Sequence, residues 1–259
     1  MVEKRNTAHA IVEQLHKASV EGLPKLIQIH RSDRRKQVQA ACKSAERRLE
    51  LETKERNRVQ EMYDLQVQMG GTGVVIGVDE VGRGAIAGPL YVGAVALPQG
   101  PKVWGINDSK QLSPQRREEL ASQIAGVATA IGFGIVSAEK IDELGMAKAL
   151  RFAMAQAIKG CRIEPDCVLI DGNPAHVHPK EKCLVKGDAR VACIAAASIV
   201  AKVTRDHYME QASQEYPAYG WDRCKGYGSA DHIAAIKRYG LTPYHRATFC
   251  THFVQGTQY

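Results

Sequence analysis

The sequence changes character at residues 74–84, which have the sequence VVIGVDEVGRG. The first five of these residues are mostly β-branched and predict a buried strand over residues 74–78. Two acidic residues, Asp79 and Glu80, follow that strand directly. Proteins of the α/β class place functional groups just past the carboxyl ends of buried strands. This stretch therefore predicts an α/β fold and the position of a functional site within it.

The chain around this stretch contains three more predicted strands, with helices between and beyond them. Apolar runs predict strands over residues 90–97, 128–136 and 167–170. Apolar spacing and capping residues predict helices over residues 114–124, 138–158, 188–209 and 231–239. The first strands follow one another directly, and the later ones alternate with helices. This order favours a mixed β-sheet flanked by helices over a fully parallel sheet.

Two further carboxylates occupy comparable positions. Asp171 directly follows the predicted strand 167–170, and Asp188 lies in the segment KGD ahead of an alanine-rich helix. A single aspartate at such a place most often caps a helix or a turn. That interpretation is weakened because two separate strand ends carry acids, and one of them carries the Asp79-Glu80 pair.

If these acids converge, they repel one another strongly. Two carboxylates ~4 Å apart cost on the order of 4 kcal/mol at an effective dielectric constant of ~20. Such a cluster either binds protons, with raised pKa values, or binds divalent cations. Oxygen ligands without His or Cys select Mg²⁺ or Mn²⁺ rather than zinc. Two such ions are the usual means of hydrolysing a phosphodiester, and a basic protein would bind nucleic acid as the substrate.

The glycines at residues 82, 84 and 88 allow a competing interpretation. They form a G-x-G-x-x-x-G pattern after a strand, which is typical of a dinucleotide site in an oxidoreductase. The acidic pair would repel a pyrophosphate there, and Pro89 is followed by a strand pattern instead of a helix. Close approach of the backbone to a substrate hydroxyl explains Gly82 and Gly84 better.

The first 72 residues differ in composition from the rest. The chain has 35 Lys+Arg against 28 Asp+Glu, a net charge of +7, and residues 1–72 contribute 14 and 10 of these, a net charge of +4. Helical spacing over residues 7–18, and in a long stretch that starts at Ser32 or Asp33, predicts an α-helical N-terminal extension. The remaining residues, 73–259, form the second predicted domain.

The start of the long helix carries a basic run, Arg31, Arg34, Arg35 and Lys36. Such a run most often marks a solvated helix start, and the alternative is contact with a phosphate backbone. On the second interpretation, the extension adds affinity for nucleic acid.

The composition of the whole chain excludes several other classes. A hydrophobic fraction of 44% with 23 glycines and 10 prolines in 259 residues excludes a disordered or collagenous chain. No apolar run approaches the ~20 residues that cross a bilayer, and the first residues lack the apolar core of a signal peptide. The seven cysteines include no C-x-x-C pair, which favours a reducing cytoplasm and argues against a structural zinc site.

Six motifs occur in the order seen in one known family. They are VDEVGRG at residues 78–84, DSK at 108–110, IDGN at 170–173, KGD at 186–188, KGYG at 225–228 and YHR at 244–246. Over residues 73–250 the sequence resembles ribonuclease HII. The resemblance implies a ribonuclease H-like fold, which is a mixed β-sheet flanked by helices with a C-terminal helical part. It also implies cleavage of RNA in RNA–DNA hybrids, and incision on the 5′ side of a ribonucleotide embedded in duplex DNA.

The resemblance also implies the catalytic residues. Asp79, Glu80, Asp171 and Asp188 match the family's four metal-binding catalytic acids. In the implied mechanism, two Mg²⁺ or Mn²⁺ ions orient a water for in-line attack, and the products carry 3′-hydroxyl and 5′-phosphate ends.

Other motif residues match the family's substrate contacts. Gly82-Arg83-Gly84 corresponds to the loop whose backbone recognises the ribose 2′-hydroxyl, the group that distinguishes RNA from DNA. Tyr227 corresponds to the aromatic residue that packs on the sugar of the following deoxynucleotide. Without the family, a tyrosine between two glycines indicates a buried turn residue. Lys110 and Lys186 resemble phosphate contacts, and solvated lysines are nearly as common at such places.

Ribonuclease HIII is the nearest alternative, since it also carries an N-terminal extension. Its sequences resemble a pattern with lysine in place of Arg83 and glutamate in place of Asp188, so both residues favour the HII type. Two other classes stay open: a non-catalytic protein that binds RNA–DNA hybrids, and a dinucleotide-dependent oxidoreductase. We expect a cytoplasmic monomer that binds RNA–DNA hybrids and ribonucleotide-containing duplex DNA, and no membrane.

Overall fold

The computed structural model describes residues 7–254. Residues 1–6 and 255–259, which the two predicted domains include, lie outside the described residues. The chain divides into two compact units, one up to Gln60 and one from Glu61 onwards. This division lies before residue 72, where the composition changes.

The first unit is made of helices around a small apolar core. Helix α1 spans Ala8–Lys17, α2 spans Leu23–His30, and α3 begins at Lys36 and runs to Gly70. Apolar side chains of these helices fill the core: Ile11, Leu15, Leu23, Ile27, Val38, Ala41, Cys42 and Ala45. The sequence predicts α1 and α3 but not α2, because its eight residues contain too few turns to establish a period.

Helix α3 begins later than the predicted start at Ser32 or Asp33. The Asp33 carboxylate accepts hydrogen bonds from the backbone N–H of Arg35 (2.9 Å) and from its Nε (3.0 Å). This local turn competes with the helix, as short acidic side chains commonly do. The helix therefore starts at Lys36, after the turn is complete.

The second unit is built on a five-stranded sheet. Its strands are β1 Val75–Val81, β2 Leu90–Ala96, β3 Ala130–Val136, β4 Cys167–Asp171 and β5 Glu181–Leu184. Their order across the sheet is β3-β2-β1-β4-β5, with β1 antiparallel to β2 and parallel to β4. The predicted mixed sheet is confirmed. The sequence does not predict β5, because this short edge strand is only partly buried and lacks the apolar run of a central strand.

Helices α4 to α10 belong to this unit. They span Pro114–Val127, Ala138–Leu144, Met146–Gly160, Ala192–Glu215, Trp221–Cys224, Ala230–Tyr239 and Ala247–Cys250. The predicted helix over residues 138–158 is two helices, α5 and α6, because the chain turns at Gly145. No helix within residues 7–254 is both long and apolar enough to cross a membrane. All seven cysteines are free thiols.

Helices α6 and α7 cover opposite faces of the sheet. One face packs with α6 in a continuous core that includes Ile76, Val78, Leu90, Val92, Ala153 and Met154. On the other face, the backbone of α7 lies directly against β1 at Gly77, where a Cβ would lie 2.2 Å from the carbonyl carbon of Cys193. This close approach brings α7 to the end of β1 that carries the acids.

The last helices enclose an aromatic cluster with two buried histidines. Trp221 Nε1 donates to His232 Nε2 (3.0 Å), and His232 Nδ1 lies 2.9 Å from the carbonyl oxygen of Tyr227. His232 therefore donates through Nδ1 and accepts at Nε2. His245 Nε2 lies 3.1 Å from that same acceptor, and His245 Nδ1 accepts the N–H of Thr242 (2.9 Å). This network requires both rings to be neutral.

We expect acid to destabilise the protein through this cluster. Burial, and to a smaller extent the neighbouring His232, lower the pKa of His245 to about 4 from the usual 6.5. A lowered pKa contributes stability that is present above pH 6.5 and is lost as the pH falls towards 4, about 3 kcal/mol when the loss is complete. Urea denaturation across this range measures the loss. A His245→Gln variant should show a flatter pH dependence, and an equally steep one would contradict the assignment.

Candidate active site

Three of the predicted acids lie where β1 and β4 run side by side. Val78 pairs with Ile170 in the parallel ladder, so Asp79 and Asp171 are the next residues along the two strands. The sequence places the acidic pair just past the end of β1. The structure corrects this position, because β1 continues to pair with β2 beyond Glu80.

The two acids of β1 belong to opposite faces of the sheet, as successive strand residues do. The hydroxyl of Ser198, on α7, donates a hydrogen bond to the Asp79 carboxylate, and Asp79 is only 5% exposed. Ser109 supports this contact, since its Oγ lies 3.0 Å from Ser198 Oγ. Glu80 lines a cleft of about 270 Å³ on the α6 side, and the other polar residues of this cleft are Arg83, Arg151, Asp171 and Asn173.

Asp188 reaches the same region from the turn that precedes α7. It lies in a 3₁₀ turn at Gly187–Ala189 and not on the helix itself. The Gly187 N–H donates to Asp171 Oδ1 at 2.6 Å, which ties this turn to the end of β4. The preceding residue, Lys186, adopts a left-handed conformation with φ 58° and is exposed. All four predicted acids are therefore brought to one end of the sheet, where β1 and β4 carry Asp79 and Asp171.

Burial makes the ionised forms of these acids unfavourable. Desolvation raises the pKa of Asp79 to about 8, and the charges of Glu80 and Asp171 add to the shift. Desolvation also raises the pKa of Glu80, although Arg83 opposes it. The pKa of Asp188 is raised for the same reason, with contributions from the charges of Asp108 and Asp171. The acids therefore interact with one another, as like charges in a poorly solvated site do.

Two cations lie beside the acids. Lys110 Nζ is 3.4 Å from Asp188 Oδ2 and 3.6 Å from Asp108 Oδ1. Desolvation alone would lower the pKa of Lys110, but the surrounding carboxylates outweigh it and raise that pKa. Arg83 NH1 lies 3.5 Å from Glu80 Oε1, and the Arg83 side chain is 64% exposed. Exposed pairs of this kind contribute little, so both head groups are free to move to a phosphate.

The donor set fits a hard divalent cation. All four acids offer carboxylate oxygens, which Mg²⁺ and Mn²⁺ prefer, and a nearby dication would reverse the raised pKa values of Asp79, Glu80 and Asp188. Within residues 7–254, no three His, Cys, Asp or Glu side chains are already gathered around one metal position. Mg²⁺ usually takes one or two carboxylates, with water and substrate phosphates as its other ligands, so a complete protein cage is not required.

The glycine loop presents open backbone beside the acids. Gly82 has φ +85°, and a Cβ there would lie 2.2 Å from Nε of Arg205. At Gly84 nothing lies within 4 Å of the position a Cβ would take. Arg246 NH1 donates to the carbonyl oxygen of Arg83 at 3.1 Å and thereby holds the loop from behind. The loop backbone is thus rigidly supported and open on its outer side.

Tyr227 lies in a second loop that is joined to the first. The carbonyl oxygen of Gly226 accepts the N–H groups of Ile86 (2.9 Å) and Ala87 (3.0 Å). Tyr227 is 38% exposed, so it is not the buried turn residue of the alternative interpretation. The second loop therefore lies against residues 86 and 87, just after the glycine loop, and its tyrosine ring is exposed.

The sequence does not identify the residues that support these loops. Arg205 and Arg246 are fully buried, and both donate to backbone carbonyls of the loop segments. Ser198, which holds Asp79, is also missed. A signal was available for Arg205, because a charged residue in an alanine-rich buried helix requires polar partners.

Comparisons with known proteins identify the family. The family profile described as "Ribonuclease HII" matches residues 76–252, and the profile "Ribonuclease HII N-terminal domain" matches residues 7–68. Ribonuclease HII of Geobacillus kaustophilus (strain HTA426) is 43% identical over 221 residues, which are 85% of each chain.

Solved structures show the same fold. Ribonuclease H2 from Pyrococcus horikoshii OT3 matches with a TM-score of 0.60 and 28% identity, over 71% of this chain and 100% of that chain. The structure described as Bst-RNase HIII in complex with Mn²⁺ also has a TM-score of 0.60, at 21% identity over 74% of each chain, which shows the fold alone. Because the HII profile and the 43% identical relative both support the type that Arg83 and Asp188 favour, the chain belongs to the ribonuclease HII family of hydrolases, which cleave RNA in RNA–DNA hybrids.

Proposed function

We propose that this chain, besides cleaving the RNA strand of RNA–DNA hybrids, incises on the 5′ side of single ribonucleotides embedded in duplex DNA. The observation that supports this most is the convergence of Asp79, Asp171 and Asp188 from two strands and one turn, with Glu80 beside them. The products would carry 3′-hydroxyl and 5′-phosphate ends.

The four acids would hold two divalent ions, Mg²⁺ or Mn²⁺. When bound, such ions supply an activated water and stabilise the leaving oxygen. The chain's own groups keep the acids in position: Ser198 donates to Asp79, and the Gly187 N–H donates to Asp171. Preorganised ligands of this kind lower the free energy needed to reach the reactive geometry.

The groups around the acids would bind the substrate. Lys110 and Lys186, both exposed, would contact backbone phosphates near Asp188. The open backbone of Gly82-Arg83-Gly84 would hydrogen-bond the ribose 2′-hydroxyl, which is absent from DNA. Tyr227 would pack on the sugar of the following deoxynucleotide.

One assay tests the proposal against its alternatives. A duplex that contains a single ribonucleotide is incubated with and without Mg²⁺ or Mn²⁺, beside an all-DNA duplex. We expect cleavage only of the first duplex and only with the cation, with the ends named above. Binding without cation-dependent cleavage would instead indicate a non-catalytic hybrid-binding protein. Dinucleotide binding that Gly82 or Gly84 substitutions abolish would indicate an oxidoreductase.

Helix α3 carries an exposed basic stripe that supports nucleic-acid binding by the first unit. Lys36, Lys43, Arg47 and Lys54 are spaced 7, 4 and 7 residues apart, so they share one helix face over about 27 Å. Buried Ala45 lies on the opposite face. None of the four cations forms an ion pair within residues 7–254. The stripe, more than the basic run at residues 31–36, is suited to a phosphate backbone.

Neutralising this stripe should weaken substrate binding. We expect a variant with Lys36, Lys43, Arg47 and Lys54 all replaced by Gln to have a higher KM and an unchanged kcat. Its binding should also depend less on salt, with the log–log slope reduced by up to about 4, since each lost phosphate contact removes about 0.9. A control that exchanges Lys and Arg at the same positions retains the charge and should behave as the wild type. An unchanged salt slope in the Gln variant would show that the stripe does not contact nucleic acid.

A further inference from the structure

Arg205 is a fully buried arginine that forms no ion pair with any residue of the described chain. Its guanidinium group instead donates three hydrogen bonds to backbone carbonyl oxygens: Nε to Pro89 (3.0 Å), NH1 to Lys225 (2.8 Å) and NH2 to Ala87 (3.2 Å). A buried guanidinium is costly to desolvate, and its position is therefore fixed by all of its acceptors together. The acceptors belong to two different loops.

The same side chain touches both elements that are proposed to contact substrate sugars. Its Nε lies against Gly82, so closely that a Cβ on Gly82 would be 2.2 Å away. Its guanidinium carbon lies 5.5 Å from the centroid of the Tyr227 ring, within the range of a cation–π interaction. Gly82 and Tyr227 thus both lie against one buried side chain, although 144 residues separate them along the chain.

We propose that Arg205 is a positioning residue that sets the distance between the glycine loop and Tyr227, and thereby the preference for a ribonucleotide followed by a deoxynucleotide. The inference rests on the proposed function, in which the loop contacts the ribose and Tyr227 the next sugar. A junction is recognised only when both contacts form on adjacent sugars. In a continuous hybrid, every nucleotide of the cleaved strand carries a 2′-hydroxyl. Cleavage of that strand therefore does not depend on the spacing between the two contacts.

The measured quantity is the junction selectivity, which is kcat/KM for a duplex with one embedded ribonucleotide divided by kcat/KM for a continuous RNA–DNA hybrid. An Arg205→Lys variant keeps the charge but loses the planar fork that reaches three carbonyls and faces the ring. We expect its junction selectivity to fall by roughly tenfold to a hundredfold, because displacements of about 1 Å have effects of this size. A purely structural role would lower both kcat/KM values equally and leave the ratio unchanged.

Arg48 offers a matched control. It also donates to three backbone carbonyls, those of Leu15, His16 and Ala18, but it does so in the first unit. An Arg48→Lys variant should keep the junction selectivity of the wild type.

A second test uses Tyr227→Leu, which should lower the selectivity by itself. Adding Arg205→Lys to that variant should then have little further effect, since both changes disrupt the same contact.

Each outcome has a distinct meaning. An unchanged ratio in folded Arg205→Lys, additive effects with Tyr227→Leu, or a wild type that cuts both substrates without preference would each overturn the inference and leave the proposed hydrolysis intact. A wild type that cuts neither substrate with Mg²⁺ or Mn²⁺ would overturn the proposed function itself. If Arg205→Lys does not fold, a Gly226→Ala variant tests the contact between the same two loops. Its added Cβ would lie 2.2 Å from the Ala87 oxygen and would push the loops apart. A ratio unchanged in that variant overturns the inference equally.

Discussion

An Asp79→Asn variant is expected to cleave at least roughly a thousandfold more slowly than the wild type, while it binds the duplex about as well. The carboxylate is buried between Ser198 and the neighbouring acids, where asparagine preserves shape and hydrogen bonding but removes the negative charge. In the proposed mechanism Asp79 is a ligand of the divalent ions, and its loss would remove several kcal/mol of transition-state stabilisation, where each 1.36 kcal/mol is a factor of ten in rate. Single-turnover cleavage measures the rate, and binding is measured in EDTA.

Measuring the stability of this variant distinguishes a loss of catalysis from a loss of folded protein. Because burial raises the pKa of Asp79 to about 8, the residue contributes stability that is present below its unfolded pKa near 3.8 and is lost as the pH rises through 8. Without metal, the asparagine variant should therefore be at least as stable as the wild type at pH 8. Mn²⁺ should raise the melting temperature of the wild type more than that of the variant.

Asp166 provides the control for this substitution. Its carboxylate accepts the N–H of Val74 at 2.8 Å, just ahead of β4 and β1 and at the opposite end of these strands from the acids. An Asp166→Asn variant should retain the wild-type turnover at temperatures where it is folded. Full turnover in Asp79→Asn would remove Asp79 from the proposed mechanism.

The second large effect is expected on stability, from Gly77→Ala. The added Cβ would lie 2.2 Å from the carbonyl carbon of Cys193 and 2.4 Å from the nitrogen of Ile194. Both contacts are with backbone, so no side chain can rotate away and α7 must separate from β1. We expect the free energy of unfolding to fall by about 3 kcal/mol, the upper part of the range for overpacked cores. Urea denaturation should show a lower midpoint with a similar m-value.

This substitution should also lower activity in the fraction that remains folded. Helix α7 carries Ser198, whose hydroxyl holds Asp79, so a displaced helix releases that carboxylate. Gly126→Ala is the matched control, because nothing lies within 4 Å of its added Cβ and the residue is in helix α4. That control should be neutral or more stable by up to about 1 kcal/mol. Equal stability of Gly77→Ala and the wild type would show that the sheet and helix have room to relax.

Local patterns in the sequence predict much of the fold. The apolar runs predict four of the five strands, and periodic apolar residues predict most of the long helices, because both patterns depend on residues close together in the chain. Strand β5 and helix α2 are missed because they are short and carry no clear period. The division of residues 138–158 into two helices follows from a single turn at Gly145, which the apolar period does not reveal.

The sequence by itself determined which chemical groups this protein brings to its candidate site: four carboxylates, a glycine loop and an aromatic residue, in an order that identifies the family. Only the tertiary structure decided which of these groups are neighbours. Asp79 and Asp171 become adjacent through the parallel register of β1 and β4, and their burial follows from the packing of α7 against the sheet. The role proposed for Arg205 arises in the same way, since its acceptors lie in loops more than a hundred residues apart. Such contacts depend on how distant segments pack, and no short sequence pattern records that packing.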